Sequence, residues 1–217
     1  MMGFTIDRDA SSSCPFGPDL QRYWDLRYEL FSRFDEGIEL DREGLYSATA
    51  EADALDMADR VPGKRVLDAF GGVGGNAIGF ARRGKSVICV EKDPARAHMI
   101  RTNAKVYEVD ALIEVINADI FDVIGSVSAD ALYLAPPWGG PDYYKKDKFL
   151  MTDFAPSSVE VTEALPSAFR GTITLTGPVN LPNTEMALVA SEWSTLVSRR
   201  ADRRPKYFTH TWDHDPE

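Results

Sequence analysis

Cysteine is almost missing from this sequence. Two occur in 217 residues, Cys14 in a serine-rich lead-in and Cys89 in an apolar run, so neither a disulfide framework nor a zinc site is implied and no metal is expected. Histidine is as scarce, with 3 in the whole chain. His210 and His214 have a helical ligand spacing, but with no cysteine beside them they read as solvated side chains. No apolar run approaches the length of a membrane span. The opening Met1-Met2-Gly3-Phe4-Thr5-Ile6-Asp7 has neither the basic start nor the apolar centre of a signal peptide, so an intracellular chain without a membrane partner is expected. Positive charge is also in short supply. Against 34 Asp and Glu there are 24 Lys and Arg, a net charge of −10 and a pI near 4.8. A protein that grips long stretches of phosphate backbone needs extended basic surface, so any nucleic-acid contact should be short. Internal repeats and linker-length low-complexity tracts are absent too.

What is present is organised around Ala135-Pro136-Pro137-Trp138-Gly139-Gly140-Pro141-Asp142-Tyr143. The stretch follows Asp130-Ala131-Leu132-Tyr133-Leu134, a short apolar run that reads as a buried strand, and two prolines must end that strand and turn the chain outward. Trp138 then stands at the carboxyl edge of a sheet, where open α/β sheets bind ligands, and its indole offers a flat apolar face to a planar base.

With 44% apolar and 11% aromatic residues the chain can bury one good core. Residues 1–17 show no periodicity and are expected to be a mobile lead-in. A helix is predicted from Asp19, with Tyr23, Leu26, Leu30, Phe31 and Phe34 on one face. Residues 38–46 read as a loop or short strand pair, and a second helix is predicted near Thr49 to Asp59. Residues 18–60 thus make a small N-terminal helical subdomain ahead of a main domain over 61–217. There the pattern becomes strand (Arg65-Val66-Leu67-Asp68), glycine loop (Gly71-Gly72-Val73-Gly74-Gly75), helix, and strand (Ser86 to Glu91). This is the nucleotide half of a doubly wound sheet. Asp93-Pro94 caps the next helix, and Leu112 to Ile116 is a third strand leading to Asp119. The tryptophan strand is the fourth and Gly171 to Thr176 the fifth; a helix over residues 184–190 and a last strand over Tyr207 to Trp212 follow, with Trp193 and Trp212 read as core.

A glycine loop after a strand is weak evidence alone. An acid at position 68, inside the loop's own strand, would repel a pyrophosphate but suits the amino group or ribose hydroxyls of S-adenosylmethionine. Glu91 can accept from the ribose hydroxyls and Asp119 from the adenine amino group, with Gly72 and Gly74 letting the backbone approach. Three acids in register are better explained by one adenosyl ligand than by three separate caps or solvated ends. The expected fold is therefore a Rossmann-like α/β methyltransferase sheet of class I.

Tyr23-Trp24, the run Leu30 to Ile38, Leu40-Asp41-Arg42-Glu43-Gly44, Asp68 to Asn76 and Pro136 to Tyr143 together resemble the catalytic domain of trimethylguanosine synthases, which methylate the N2 amine of 7-methylguanosine RNA caps. The resemblance covers nearly the whole chain after residue 20. It implies a 7-methylguanosine-capped RNA partner contacted only near the cap, a monomer and a nuclear location. Guanine N2 is a poor nucleophile because its lone pair is delocalised, so it must be held in line and its protons hydrogen-bonded. Pro136 has no backbone donor but keeps its carbonyl acceptor, which suits orienting an amine. Family members often have serine before the prolines; here Ala135 removes that side-chain acceptor. Trp138 suits the cationic 7-methylated base through a cation–π attraction. The resemblance further puts Ser47 and Thr49 at the site entrance, Arg22 near the cap phosphates, Phe31 as an aromatic wall, and Asn180 in a loop where Val179 replaces a usual arginine. Lys145 or Lys146 can stand in for that arginine. Two other readings stay open: another amino-group methyltransferase acting on a nucleobase or a protein glutamine, and a silent adenosyl- or cap-binding module.

Overall fold

The computed structural model describes residues 13–140, 143, 145–199 and 205–214. The helices are α1 (Gln21–Trp24), α2 (Arg27–Leu30), α3 (Arg42–Ser47), α4 (Glu51–Arg60), α5 (Gly75–Arg82), α6 (Pro94–Val106), α7 (Ile120–Val123), α8 (Ser158–Glu163) and α9 (Asn183–Met186). The strands are β1 (Arg65–Asp68), β2 (Ser86–Val90), β3 (Ile113–Ile116), β4 (Ala131–Leu134), β5 (Gly171–Gly177), β6 (Ser194–Arg199) and β7 (Pro205–His214). They form one sheet in the order β3-β2-β1-β4-β5-β7-β6. The first five pair in parallel, and β7 runs antiparallel to β5 and β6.

A parallel sheet with helices on both faces must be apolar on both, and the two-residue alternation of the strands sorts their side chains accordingly. Val66, Val87, Cys89, Ala131 and Tyr133 pack with α4, α5 and α6 on one side. Leu67, Ile88, Val90, Leu132, Leu134, Ile173 and Leu175 build the other face with Phe149, Met151 and Phe154. Local signals start the helices that flank the site. Asp93 accepts from the amides of Ala95 (2.8 Å) and Arg96 (3.2 Å), with Pro94 at the first position of α6.

The N-terminal part departs from the expectations. The helix expected from Asp19 is broken: Leu26 leaves helical geometry between α1 and α2, and Phe31 is extended at φ −142°, ψ 109°. Leu26 is 46% exposed, while Arg27 is buried beside the rings of Trp24 and Tyr28 at 4.8 and 4.5 Å. A guanidinium stacked on aromatics thus takes the inward place that periodicity gave to leucine. Residues 42–47, expected as loop or strand, are α3, because Asp41 caps them through the Gly44 amide at 2.6 Å. The helical segment packs a small cluster of its own, Leu20 and Leu45 with Tyr23, Trp24 and Leu40 around them, while Phe31, Met57 and Ala58 join the same cluster as Val66 and Ile78. Within the lead-in expected over residues 1–17, Cys14 is buried against Leu20 and Leu45, and residues 1–12 lie outside the described residues. Late in the chain, β6 and α8 were not anticipated, and the helix expected over residues 184–190 is the shorter α9. His210, expected in solvent, is fully buried, its Nδ1 3.0 Å from the Thr195 hydroxyl, and burial pushes its pKa down to about 4. Trp212 is 4% exposed and Trp193 packs on the same cluster, so both are core.

Candidate functional site

The strand order reverses between β1 and β4, and ligands of open α/β sheets bind outside the carboxyl ends of the strands at such a point. Asp68 ends β1, Glu91 follows β2, Asp119 follows β3, and Ala135 to Trp138 follow β4. These four positions stand on adjacent strands, so the row is three strand spacings long, roughly 14 Å.

Asp68 is fully buried. Its Oδ1 accepts from the Phe70 amide at 3.3 Å, while Oδ2 has no hydrogen-bond partner. Burial, with the charge of Glu91 adding to it, pushes the carboxyl up to about 7. An acceptor left without a donor in a dry site is costly unless a ligand supplies the donor. Glu91 is 8% exposed and accepts from the amides of Gly72 and Asp93, each at 2.8 Å. It therefore pins the glycine loop to the start of α6. Burial raises its pKa against the pull of those two amides. Asp119 is exposed and caps α7 through the Phe121 amide at 3.1 Å. Its other oxygen is open to a ligand.

The glycine loop is built for close approach. Gly72 has φ 55° with nothing within 4 Å of a Cβ built on it, and Gly74 begins α5 at φ 94°. An L side chain in either conformation would be strained, and at Gly72 it would also project into the open space. Asn103 fixes the loop from behind: its amide donates to the carbonyls of Val73 and Glu39 and accepts from the Glu39 amide, all at 2.8 to 2.9 Å.

Trp138 packs against the clusters on both faces of the sheet, which places its indole over the carboxyl edge rather than on either side. Tyr143 meets it edge to face, with ring centroids 5.0 Å apart and 76° between planes. Pro136 is buried and Ala135 half-buried. Pro141 and Asp142 of this stretch lie outside the described residues. Asn180 braces the loop: its Nδ2 donates to the carbonyls of Lys146 (2.8 Å) and Tyr143 (3.3 Å). Both N–H groups are engaged there, while its Oδ1 is buried without a hydrogen-bond partner. Lys145 is exposed, and Lys146 is paired with Asp153 at 2.7 Å. Of the basic run from Arg199 to Lys206, residues 200–204 lie outside the described residues.

The N-terminal segment closes the cleft, a contact invisible in the sequence. Gly44 of α3 lies so near Val73 that an added Cβ would meet its Cγ1 at 2.5 Å. Arg96 of α6 donates to Asp41 and Glu43, both at 2.7 Å, and fixes α3 in place. Just past α3, the Thr49 carbonyl is 3.4 Å from a Cβ built on Gly75, and on α3 itself the Tyr46 hydroxyl is 3.8 Å from one built on Gly140. Residues 46–49 therefore bridge the glycine loop and the tryptophan loop. Ser47 is exposed there and donates to the Glu43 carbonyl at 2.7 Å. Arg22 is exposed and donates to the Tyr23 hydroxyl at 2.6 Å. Phe31 does not present an open wall. It is 2% exposed and packs on Tyr107, with only its ring tip near Gly75, so it supports the glycine loop from the core side.

Residues 63–183, more than half of the chain, match the family described as RNA cap guanine-N2 methyltransferase. The chain belongs to that family. It is 37% identical over 159 residues to the trimethylguanosine synthase of Schizosaccharomyces pombe, covering 68% of this chain and 66% of that protein. It is 31% identical over 141 residues to the trimethylguanosine synthase of Saccharomyces cerevisiae, covering 60% of this chain and 45% of that one. The chain thus spans two thirds or less of the length of these curated relatives. Among solved structures, a Porphyromonas gingivalis protein described as a methyltransferase superposes with a TM-score of 0.67 at 16% identity, over 97% of this chain and 54% of that one. The M. jannaschii tRNA m1G37 methyltransferase gives 0.52 at 13% identity, over 76% of this chain and 49% of that one. Both show the Rossmann-like methyltransferase fold.

Among the described residues, no group of three or more His, Cys, Asp or Glu could hold a metal ion, and no helix is long and apolar enough to cross a membrane. A cavity of about 680 Å³ lined by Trp193, Trp212, Asp213 and His214 lies elsewhere, at the amino ends of the parallel strands, since His214 pairs with the first residue of β5.

Proposed function

We propose that this chain transfers a methyl group from S-adenosylmethionine to the exocyclic N2 amine of 7-methylguanosine on RNA caps. The observation that carries the reading is the indole of Trp138 over the carboxyl edge of the sheet, one strand away from a buried acceptor without a donor. Asp68 Oδ2 fits a ligand that brings a donor into the buried end of the cleft, and Glu91 and Asp119 keep acceptor capacity for hydroxyl and amino groups of an adenosine. Gly72 and Gly74 leave room for its approach, and the Thr49 segment closes over it. When bound, S-adenosylmethionine supplies the electrophilic methyl.

The chain's own task is to place the nucleophile. Trp138, braced by Tyr143 and by the Asn180 clamp, holds the base flat, and a cation over an indole gains about 0.5 to 2 kcal/mol. The Pro136 carbonyl accepts one N2 proton and turns the amine toward the methyl group; Ala135 offers no second acceptor. Orientation of this kind can contribute several powers of ten in rate, because the two reactants meet already aligned. Ser47, Arg22 and Lys145 lie at the rim, on the side where the cap phosphates leave. The reading includes a single copy acting alone and, by family resemblance, a nuclear location, checked by sedimentation and by imaging a tagged chain.

Labelled S-adenosylmethionine offered with a 7-methylated cap dinucleotide, the unmethylated dinucleotide and duplex DNA tests the proposal. Label should enter the first in preference to the second, and duplex DNA should take none. Equal labelling of the unmethylated dinucleotide, or preference for DNA, overturns it.

A further inference from the structure

One side chain of the bridge over residues 46–49 has no part in the reading above. Tyr46 sits on α3, whose position is fixed by Arg96 through Asp41 and Glu43. Its hydroxyl reaches the tryptophan loop, 3.8 Å from a Cβ built on Gly140. Among the described residues that hydroxyl has no hydrogen-bond partner. Its ring is half-buried, and burial together with the charge of Glu43 holds the phenol above its ordinary pKa of 10, so it is a donor at any working pH. Beyond it lies the Tyr23 ring, with centroids 6.3 Å apart, and over Tyr23 stands the Arg22 guanidinium at 4.5 Å. The groups therefore form a chain of neighbours that starts at the tryptophan loop: Gly140, Tyr46, Tyr23, Arg22. A cap has the same order, a planar cation followed by a chain of phosphates.

The geometry points to Tyr46 as a specificity-determining residue whose hydroxyl donates to the phosphate bridge beyond the ribose of the methylated nucleoside. This inference rests on the proposed function and deepens it: the first phosphate after the ribose is held by a neutral, positionally fixed donor, and the next ones by Arg22. A neutral donor is what an acidic chain with few free cations can offer without a basic groove. A hydroxyl bonded to a charged oxygen, in a site that excludes most water, is worth about a tenfold change in binding.

Tyr46→Phe deletes one oxygen and keeps the ring that packs on Tyr23. Steady-state kinetics on 7-methylguanosine nucleoside, 7-methyl-GTP and the 7-methylated cap dinucleotide should show KM raised about tenfold for the two phosphorylated acceptors. The KM for the nucleoside, kcat on all three and the Kd for S-adenosylmethionine should stay as in the wild type. Unchanged KM on every acceptor overturns the inference. An equal rise on all three overturns it as well, because the hydroxyl would then support the tryptophan loop and read nothing beyond the base. If the wild-type chain turns over none of the 7-methylated acceptors, the proposed function falls and this inference with it; an active wild type with an indifferent Tyr46→Phe removes only the inference.

Discussion

Replacing Asp68 with asparagine keeps the size and shape of a fully buried side chain while removing its titration, which makes the cost of that carboxylate measurable. In the ligand-free protein Asp68 titrates at about 7 instead of its ordinary 3.8, because burial and Glu91 disfavour the charged form. A folded-state pKa above the unfolded one means that the native state holds the proton longer. The carboxyl is therefore harmless below pH 3.8, and its cost grows as pH rises from there to about 7 and is complete above that. One unit corresponds to about 1.4 kcal/mol, so the full cost is on the order of 4 kcal/mol, of which about 3 falls between pH 5 and pH 8. Asparagine carries its own unsatisfied amide into the site, but that penalty does not vary with pH. Urea unfolding of both proteins at pH 5 and pH 8 isolates the carboxylate: wild-type stability should fall by about 3 kcal/mol more than that of Asp68→Asn over this interval. Adding S-adenosylmethionine should reverse the ranking at pH 8, because the wild type gains a donor for Oδ2 that the variant cannot use as well. Parallel pH dependence of the two proteins would falsify the buried-acceptor argument, whatever the variant's activity.

Glu91→Ala should weaken S-adenosylmethionine binding in calorimetry by about 1 to 3 kcal/mol and loosen the glycine loop, which loses its carboxylate anchor at Gly72; unchanged affinity would remove Glu91 from the site. Trp138→Ala should lose most cap methylation yet bind S-adenosylmethionine normally, and Trp138→Phe should keep part of the rate, since a phenyl face attracts cations less than indole. A wild-type rate for Trp138→Ala would make the tryptophan packing alone. Catalytic efficiency on 7-methyl-GTP should exceed that on GTP by about 2- to 30-fold, the range of the cation–π gain; equal efficiency would sink that part of the reading. Glu51→Gln should destabilise the fold by about 1 to 2 kcal/mol at pH 7 in thermal or urea unfolding. Although burial alone would raise its pKa, hydrogen bonds from Tyr107, Ser32 and Arg82 hold Glu51 at about 2, so this contribution is present above pH 4.5 and lost as pH falls through 2. An unaltered acid-unfolding midpoint in the variant would show that the network contributes nothing.

The row of acids and the tryptophan turn were legible before any coordinates, because each depends on local chemistry. Proline ends β4 and stops it donating, glycine permits φ 55° at position 72, and Asp93 with Pro94 starts α6 wherever the rest of the chain goes. The missed signals were of the same kind but weaker. Asp41 three residues before Gly44 was a helix start that the neighbouring polar residues obscured, and β6 is a strand only because β7 is there to pair with it.

The sequence by itself therefore determined the strands of the parallel half of the sheet and the identity of the residues at their ends, since periodicity, turn chemistry and caps act over a few residues. Tertiary structure alone decided three things. It turned Arg27 inward and Leu26 outward, because the break at Leu26 folds the rings of Trp24, Tyr28 and Phe34 around the guanidinium. It buried Phe31 under the glycine loop, where the core needed volume more than the site needed a wall. And it laid residues 46–49 across the cleft, joining Gly75 to Gly140 through contacts between segments far apart in the chain, which no local pattern encodes because their energy comes from burial shared between distant residues.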